Sequence, residues 1–285
     1  MSILLAAILG LVQGLSEFLP ISSSGHLNLI QALFQVNSEN QLLFNIMLHM
    51  GTLLAVLIVF WRDWIAMLRH PIQNPMLMLL IVASLPALAA KLLFGDQLDY
   101  LETHNLLLGV CFLFTGLLLL ITQWLSTREQ HKRLETGKVG VPQALVMGCM
   151  QAVGMLPGIS RSGSTIFGGV ASRLDRTTAA KFSFMMSMPA IVASFLSEGY
   201  SAVKQGALTQ TNDMTAILIG MVVAGISGYL AIRFMLKIIA KVSLNWFALY
   251  VAVLGIAVIL MQVTGIMADA PAAAVAAMHS AFPFL

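Results

Sequence analysis

Six stretches of about twenty mostly apolar residues, at 41–61, 76–95, 105–125, 179–198, 214–236 and 244–264, constrain this chain more than any other feature. An α-helix needs that length to cross the hydrocarbon core of a bilayer. Two further apolar stretches, near 2–35 and 140–172, do not fit as single spans because each is interrupted midway. The first interruption runs from Leu19-Pro20 through Ser22, Ser23 and Ser24 to Gly25-His26. The second runs from Pro157-Gly158 through Ser160-Arg161-Ser162-Gly163 to Ser164-Thr165. Non-helical backbone at membrane depth persists only where protein or a water-filled cavity satisfies its polar groups. Both stretches are therefore expected to be re-entrant helix–break–helix pairs that return to the side they entered. The expected fold is an all-α polytopic membrane protein with six transmembrane helices plus two re-entrant helix pairs.

The charges support that layout. Only 9% of the 285 residues are charged and 59% are hydrophobic, against about a quarter charged in soluble domains. This excludes a nucleic-acid binder and a disordered tail. Cys111 and Cys149, the only cysteines, each lie in an apolar stretch and imply neither a disulfide framework nor a metal cluster. Met1 to Val12 carries no Lys or Arg and does not read as a secretory signal. With 41–61 running inward, 12 of the 15 Lys and Arg fall inside, from Arg62 and Arg69 to Arg233, Lys237 and Lys241. Lys91 and Lys204 fall outside, and Arg161 lies in the second break. Cytoplasmic loops carry this excess of basic residues, whereas counting either broken stretch as a span would invert everything after it. The first pair then opens outward and the second inward.

An offset of 138 residues superposes the chain on itself. Gly10, Gln13, Ser22, Ser24 and Gly25 meet Gly148, Gln151, Ser160, Ser162 and Gly163, and Phe44, Met47, Met50 and Ala55 meet Phe182, Met185, Met188 and Ala193. The matched spans run in opposite directions, so the expectation is an inverted-topology repeat. Its halves, about 1–138 and 139–285, would form one domain with a site built from broken helices of both.

Polar and ionisable groups at membrane depth mark function because burying them is costly. Gln13 and Glu17 are four apart and share a helical face. One of Ser22, Ser23 and Ser24 is expected to cap the returning half-helix, whose N-terminal amides favour an anion. Ser23 and His26, three apart, set a hydroxyl near a base as nucleophilic catalysis requires. Arg161 supplies a planar cationic fork suited to phosphate oxygens, with Ser160, Ser162, Ser164 and Thr165 as neighbouring hydroxyls. A carboxylate beside an anion cradle suits a divalent cation bridging to the substrate, and hard oxygen ligands favour Mg²⁺. His49 has no hydroxyl-rich break beside it and reads as a packing or lining residue. A transporter is the rival reading, since broken helices in inverted repeats are transporter architecture; a channel lacks its ring of charge.

These residues resemble the bacterial undecaprenyl-diphosphate phosphatase family of the bacitracin-resistance type, distinct from the PAP2-type lipid phosphatases. The marks are (Glu/Gln)-x-x-x-Glu at Gln13–Glu17, Pro-x-Ser-Ser-x-Gly-His at Pro20–His26, and Pro-Gly-x-Ser-Arg-Ser-x-x-Thr at Pro157–Thr165. The resemblance implies removal of the terminal phosphate from the C55 isoprenoid diphosphate, recycling the carrier for peptidoglycan and other wall polymers. It implies catalytic roles for Glu17, Ser23, His26 and Arg161, with Glu17 linked to Mg²⁺ or another divalent cation such as Ca²⁺. Gln13, Ser22, Ser160, Ser162 and Thr165 would support the substrate. Gln13, where the family has Glu or Gln, leaves at most one carboxylate from that motif. Either Ser23 attacks with His26 as base, or His26 attacks directly. The expected partners are the isoprenoid lipid diphosphate and the phospholipid bilayer, with a homodimer left open and no nucleic acid. The expected location is the bacterial inner membrane, the site opening to the periplasmic side.

Overall fold

A computed structural model describes residues 1–34, 36, 41–71, 73–104, 107–128, 138–204 and 214–265. The loop carrying Lys132 and Arg133 and the tail from Met267 onward, to which the sequence assigns no role, lie outside the described residues. Eleven helices occupy the described residues: α1 (Ile3–Phe18), α2 (Ser23–Leu33), α3 (Gln41–Val59), α4 (Trp61–Arg69), α5 (Pro75–His104), α6 (Leu108–Thr127), α7 (Val141–Val153), α8 (Arg161–Ala171), α9 (Arg176–Lys204), α10 (Met214–Ile238) and α11 (Asn245–Val263). Six are long and apolar enough to cross a membrane: Gln41–Val59, Pro75–Leu98, Leu108–Thr127, Arg176–Ser197, Met214–Ile238 and Asn245–Val263. These are the six expected spans, and the chain is a multi-pass membrane protein. The shorter α1 and α7 are apolar but fall below spanning length.

Both interrupted stretches fold as helix, break, helix. Pro20 and Pro157 follow the first helix of each pair, where a residue without an amide hydrogen stops further helical bonding. Each second helix then starts on a serine cap. Ser22 accepts from the Gly25 amide at 3.3 Å, and Ser160 accepts from the Gly163 amide at 3.0 Å. The caps lie 138 residues apart, as do the bounds of α2 and α8.

Small residues set the packing. In a bilayer, helices associate by close van der Waals approach, which glycine permits. α1 lies along α10 with Gly10 against Gly220 and Gly14 against Ala224, Ser227 and Gly228. α7 lies along α5 with Gly148 against Ala83. The first helix of each pair is thus clasped by a span from the other part of the chain. α6 packs on α11 through Gly109 and Gly255, and this pair backs both breaks. Two departures from the sequence reading concern polar segments. α5 runs on to His104 through a kink at Phe94, and α4 is a short amphipathic helix that buries Trp64 and Met67. Lys181 near the start of α9 pairs with Asp63 of α4 at 2.8 Å, tying that short helix to a span.

Candidate active site

The two breaks meet. A methyl group on Gly25 would lie 3.0 Å from the Gly158 Cα and 2.6 Å from the Phe112 ring, so only glycine allows the approach. Gly158 also takes φ +89°, in the left-handed region that glycine enters without penalty. Ser162 Oγ donates to the carbonyl of Leu19 at 3.0 Å, which stitches the second break to the end of α1. With that proton committed, the 3.2 Å contact between Ser160 and Ser162 has Ser160 as donor. Thr115 of α6 completes the second turn: its hydroxyl donates to Gly158 O at 3.1 Å and accepts from Ser160 N at 2.9 Å.

Glu17 is the centre. Its carboxylate is buried, and both oxygens are engaged. Oε1 pairs with Arg161 Nη2 from across the breaks. Oε2 accepts from Ser23 Oγ at 2.5 Å and from Gln13 Nε2 at 3.0 Å. A buried carboxylate needs such partners, because an unpaired one would cost several kcal/mol. The Gln13 amide is oriented by its bond to Glu17, and its own Oε1 is buried without a hydrogen-bond partner. His49 of α3 brings Nε2 to 4.0 Å from Glu17 Oε2, while its Nδ1 lies 2.8 Å from Asn45 O.

The structure gathers Gln13, Glu17, Ser23 and Arg161 into one hydrogen-bonded cluster. It does not pair Ser23 with His26. Residues three apart share a face, yet the imidazole is held elsewhere: Nδ1 lies 2.6 Å from Ser22 O and Nε2 lies 2.8 Å from the hydroxyl of Tyr250 on α11. Ser22 adopts φ 71°, unusual for a residue with a side chain. Its oxygens are what make the turn useful, the hydroxyl capping α2 and the carbonyl receiving the His26 ring. The sequence-predicted supporting hydroxyls of Ser160, Ser162 and Thr165 are buried and bonded within the protein, Thr165 at 2.7 Å to Ser183. They shape the break that presents Arg161, whose side chain retains 19% exposure.

Sequence reasoning reads His49 as a packing or lining residue and passes over Thr115, Ser183 and Tyr250. His49 carried a usable signal, since an ionisable side chain within a span is functional by default; the test of an adjacent break was local in the chain, whereas its contact with Glu17 is made through space. Tyr250 and Thr115 sit in ordinary apolar spans and carried none.

Fold and site define an all-α integral membrane protein that gathers a buried carboxylate, a hydroxyl and a partly buried arginine where two broken helix pairs meet. The model of the family described as "Bacitracin resistance protein BacA" matches residues 6–257, and the chain belongs to that family. Relatives include an undecaprenyl-diphosphatase of Carboxydothermus hydrogenoformans, 40% identical over 91% of this chain and 97% of that one. Undecaprenyl-diphosphatase 4 of Bacillus thuringiensis subsp. konkukian is 39% identical over 92% and 98%. The undecaprenyl-diphosphatase of Thermodesulfovibrio yellowstonii is 36% identical over 90% and 96%.

Proposed function

We propose that this protein hydrolyses undecaprenyl diphosphate to undecaprenyl phosphate and phosphate, recycling the lipid carrier for peptidoglycan and other wall polymers and conferring bacitracin resistance. Family membership and the relatives' shared activity support the reaction. The observation that carries it on this chain is the Ser23–Glu17–Arg161 cluster spanning both breaks. Arg161 exchanges Glu17 for the substrate's diphosphate, which its forked donors fit, and stabilises charge on the transferred group. Glu17, freed of its cation, takes the Ser23 proton as Ser23 Oγ attacks the terminal phosphorus. The lipid monophosphate leaves and a serine phosphoester remains for water to hydrolyse. His26 as the base for Ser23, the first sequence alternative, is disfavoured because the Ser23 hydroxyl already donates to Glu17 and not to the imidazole.

The donor set also suits a divalent cation. No group of three or more His, Cys, Asp or Glu side chains arranged to hold a metal occurs among the described residues. Glu17 and the unpartnered Gln13 Oε1 nevertheless provide hard oxygens, and Mg²⁺ commonly takes one carboxylate and completes its shell with substrate phosphates and water. Gln13 and Glu17 would hold it, and when bound it supplies neutralisation of diphosphate charge. In this reading the two broken pairs are re-entrant, related by an inverted repeat with halves about 1–138 and 139–285 in one domain. The protein sits in the bacterial inner membrane with the site opening to the periplasmic side. The test is phosphate release from long-chain isoprenyl diphosphate by purified protein, with and without EDTA. Release that EDTA abolishes supports the reading with its metal; no release under any metal condition refutes it and favours transport of the lipid phosphate.

A further inference from the structure

The His26 ring is held on three sides by groups with unequal freedom to move. Its Nδ1 faces the carbonyl of Ser22, an oxygen that only accepts, so Nδ1 carries the ring hydrogen. In the neutral ring Nε2 is then the lone-pair nitrogen, and the Tyr250 hydroxyl, 2.8 Å away, donates to it. The Tyr250 and His26 rings are stacked at 12° with centroids 5.7 Å apart, while Phe112 meets the imidazole edge-on at 5.4 Å. Phe112 is fully buried and Ser22 is locked in the capped turn, so neither can leave. Tyr250 is 47% exposed, which makes it the least enclosed of the three.

We propose that Tyr250 is a positioning residue for the second half of the reaction, holding His26 Nε2 aimed and unprotonated until the hydrolytic water takes the place of its hydroxyl. This rests on the phosphatase reading with Ser23 as nucleophile. In that step the water oxygen bonds to phosphorus and the bond from phosphorus to Ser23 Oγ breaks. One water proton passes to His26 Nε2, and the proton held by Glu17 since the first step returns to Ser23 Oγ. The imidazolium then gives its proton to the departing phosphate. The arrangement accounts for a histidine within the site that touches neither Ser23 nor Glu17: it serves the water, and its fixed Nδ1–H bond to Ser22 keeps the reactive nitrogen pointing one way.

The experiment compares wild-type protein with Tyr250→Phe, His26→Gln and the double variant, using a long-chain isoprenyl diphosphate labelled in its terminal phosphate. Phe keeps the stacked ring and removes only the hydroxyl. Tyr250→Phe is expected to lower kcat about tenfold, the scale of one lost hydrogen bond in a closed site, with KM falling in step so that kcat/KM, set by the first step, stays within about twofold. Label should accumulate on the protein in a single turnover, because the second step slows while the first does not. In the His26→Gln background the same substitution should have no further effect, since a residue acting through His26 has nothing left to act on. The ¹⁵N resonance of His26 Nε2 should also move toward that of an unbonded imidazole nitrogen in Tyr250→Phe. Wild-type kinetics in Tyr250→Phe, an additive loss in the double variant, or a rise in KM with kcat unchanged would each overturn the proposal. If wild-type protein releases no phosphate, the phosphatase reading falls first and this inference with it.

Discussion

Gln13→Glu offers the sharpest test of how the site handles charge. The substitution keeps the side-chain shape but replaces the amide that donates to Glu17 Oε2 at 3.0 Å with a second carboxylate. Two unit charges at that separation repel by roughly 5 kcal/mol at an effective dielectric constant of about 20. Gln13 and Glu17 are both buried, so water does little to screen the pair; the Arg161 contact to Glu17 offsets part of it. Without a divalent cation the pair relieves itself by sharing a proton, which weakens Glu17 as acceptor of the Ser23 proton. With one, the same repulsion becomes affinity, since a cation between two carboxylates replaces a repulsion with two attractions. At about 1.4 kcal/mol per tenfold, even a quarter of the repulsion lowers the half-saturating Mg²⁺ concentration by roughly tenfold. The assay is phosphate release from isoprenyl diphosphate across a Mg²⁺ titration buffered with chelator. Gln13→Glu should be less active than wild type when metal is scarce and reach half-maximal rate at lower Mg²⁺. Superimposable titration curves would refute the placement of a cation at Gln13 and Glu17.

Other substitutions probe the rest of the cluster and its support. Arg161→Lys keeps the charge and loses the fork, so kcat/KM should fall by about 10²–10³-fold; near-wild-type turnover would remove Arg161 from the diphosphate site. Ser23→Ala should abolish the labelled phosphoenzyme and leave only background phosphate release, and a persistent phosphoenzyme would shift the nucleophile to another side chain. Gly14→Ala would drive a methyl into Ser227 Oγ and to 2.5 Å from Ala224 O, and should destabilise the protein by about 1–3 kcal/mol. Gly199→Ala is the control, as nothing lies within 4 Å of an added methyl there. A melting temperature in detergent that drops for Gly14→Ala alone is the expected result.

What the sequence made legible follows from what a bilayer demands of it. The spans read directly because apolar length is required whatever the tertiary contacts, and the expected 41–61 and 76–95 correspond to helices over Gln41–Val59 and Pro75–Leu98. Glu17, Ser23 and Arg161 stood out because polar residues at that depth are rare. The partner of each group was less legible. Ser23 and His26 pair by helical spacing, but the His26 ring is hydrogen-bonded to a tyrosine 224 residues away, a contact that no local period encodes. The same holds for Thr115, one hydroxyl in an apolar span, whose role becomes visible only when α6 lies behind the second break. α4 escaped the span criterion because amphipathic helices of nine residues are stabilised by docking, here through Trp64 and Met67, rather than by apolar length.

The scarcity of charge also explains how the groups of the site pair with one another. A buried carboxylate and a partly buried guanidinium cannot each wait unpaired, because removing one partner from such a pair costs about 3–5 kcal/mol. In this chain they wait on each other, Glu17 against Arg161 across the two breaks. A diphosphate carries more negative charge than one carboxylate and presents several oxygens, so it competes well for the arginine. The carboxylate it displaces is the one already holding the Ser23 hydroxyl at 2.5 Å. In the proposed reaction, binding and activation of the nucleophile are thereby one exchange: the proton acceptor would be released only when a phosphate is present to be attacked. An anion lacking a transferable phosphoryl group would make the same exchange without reaction, so such an anion should inhibit by competing at Arg161.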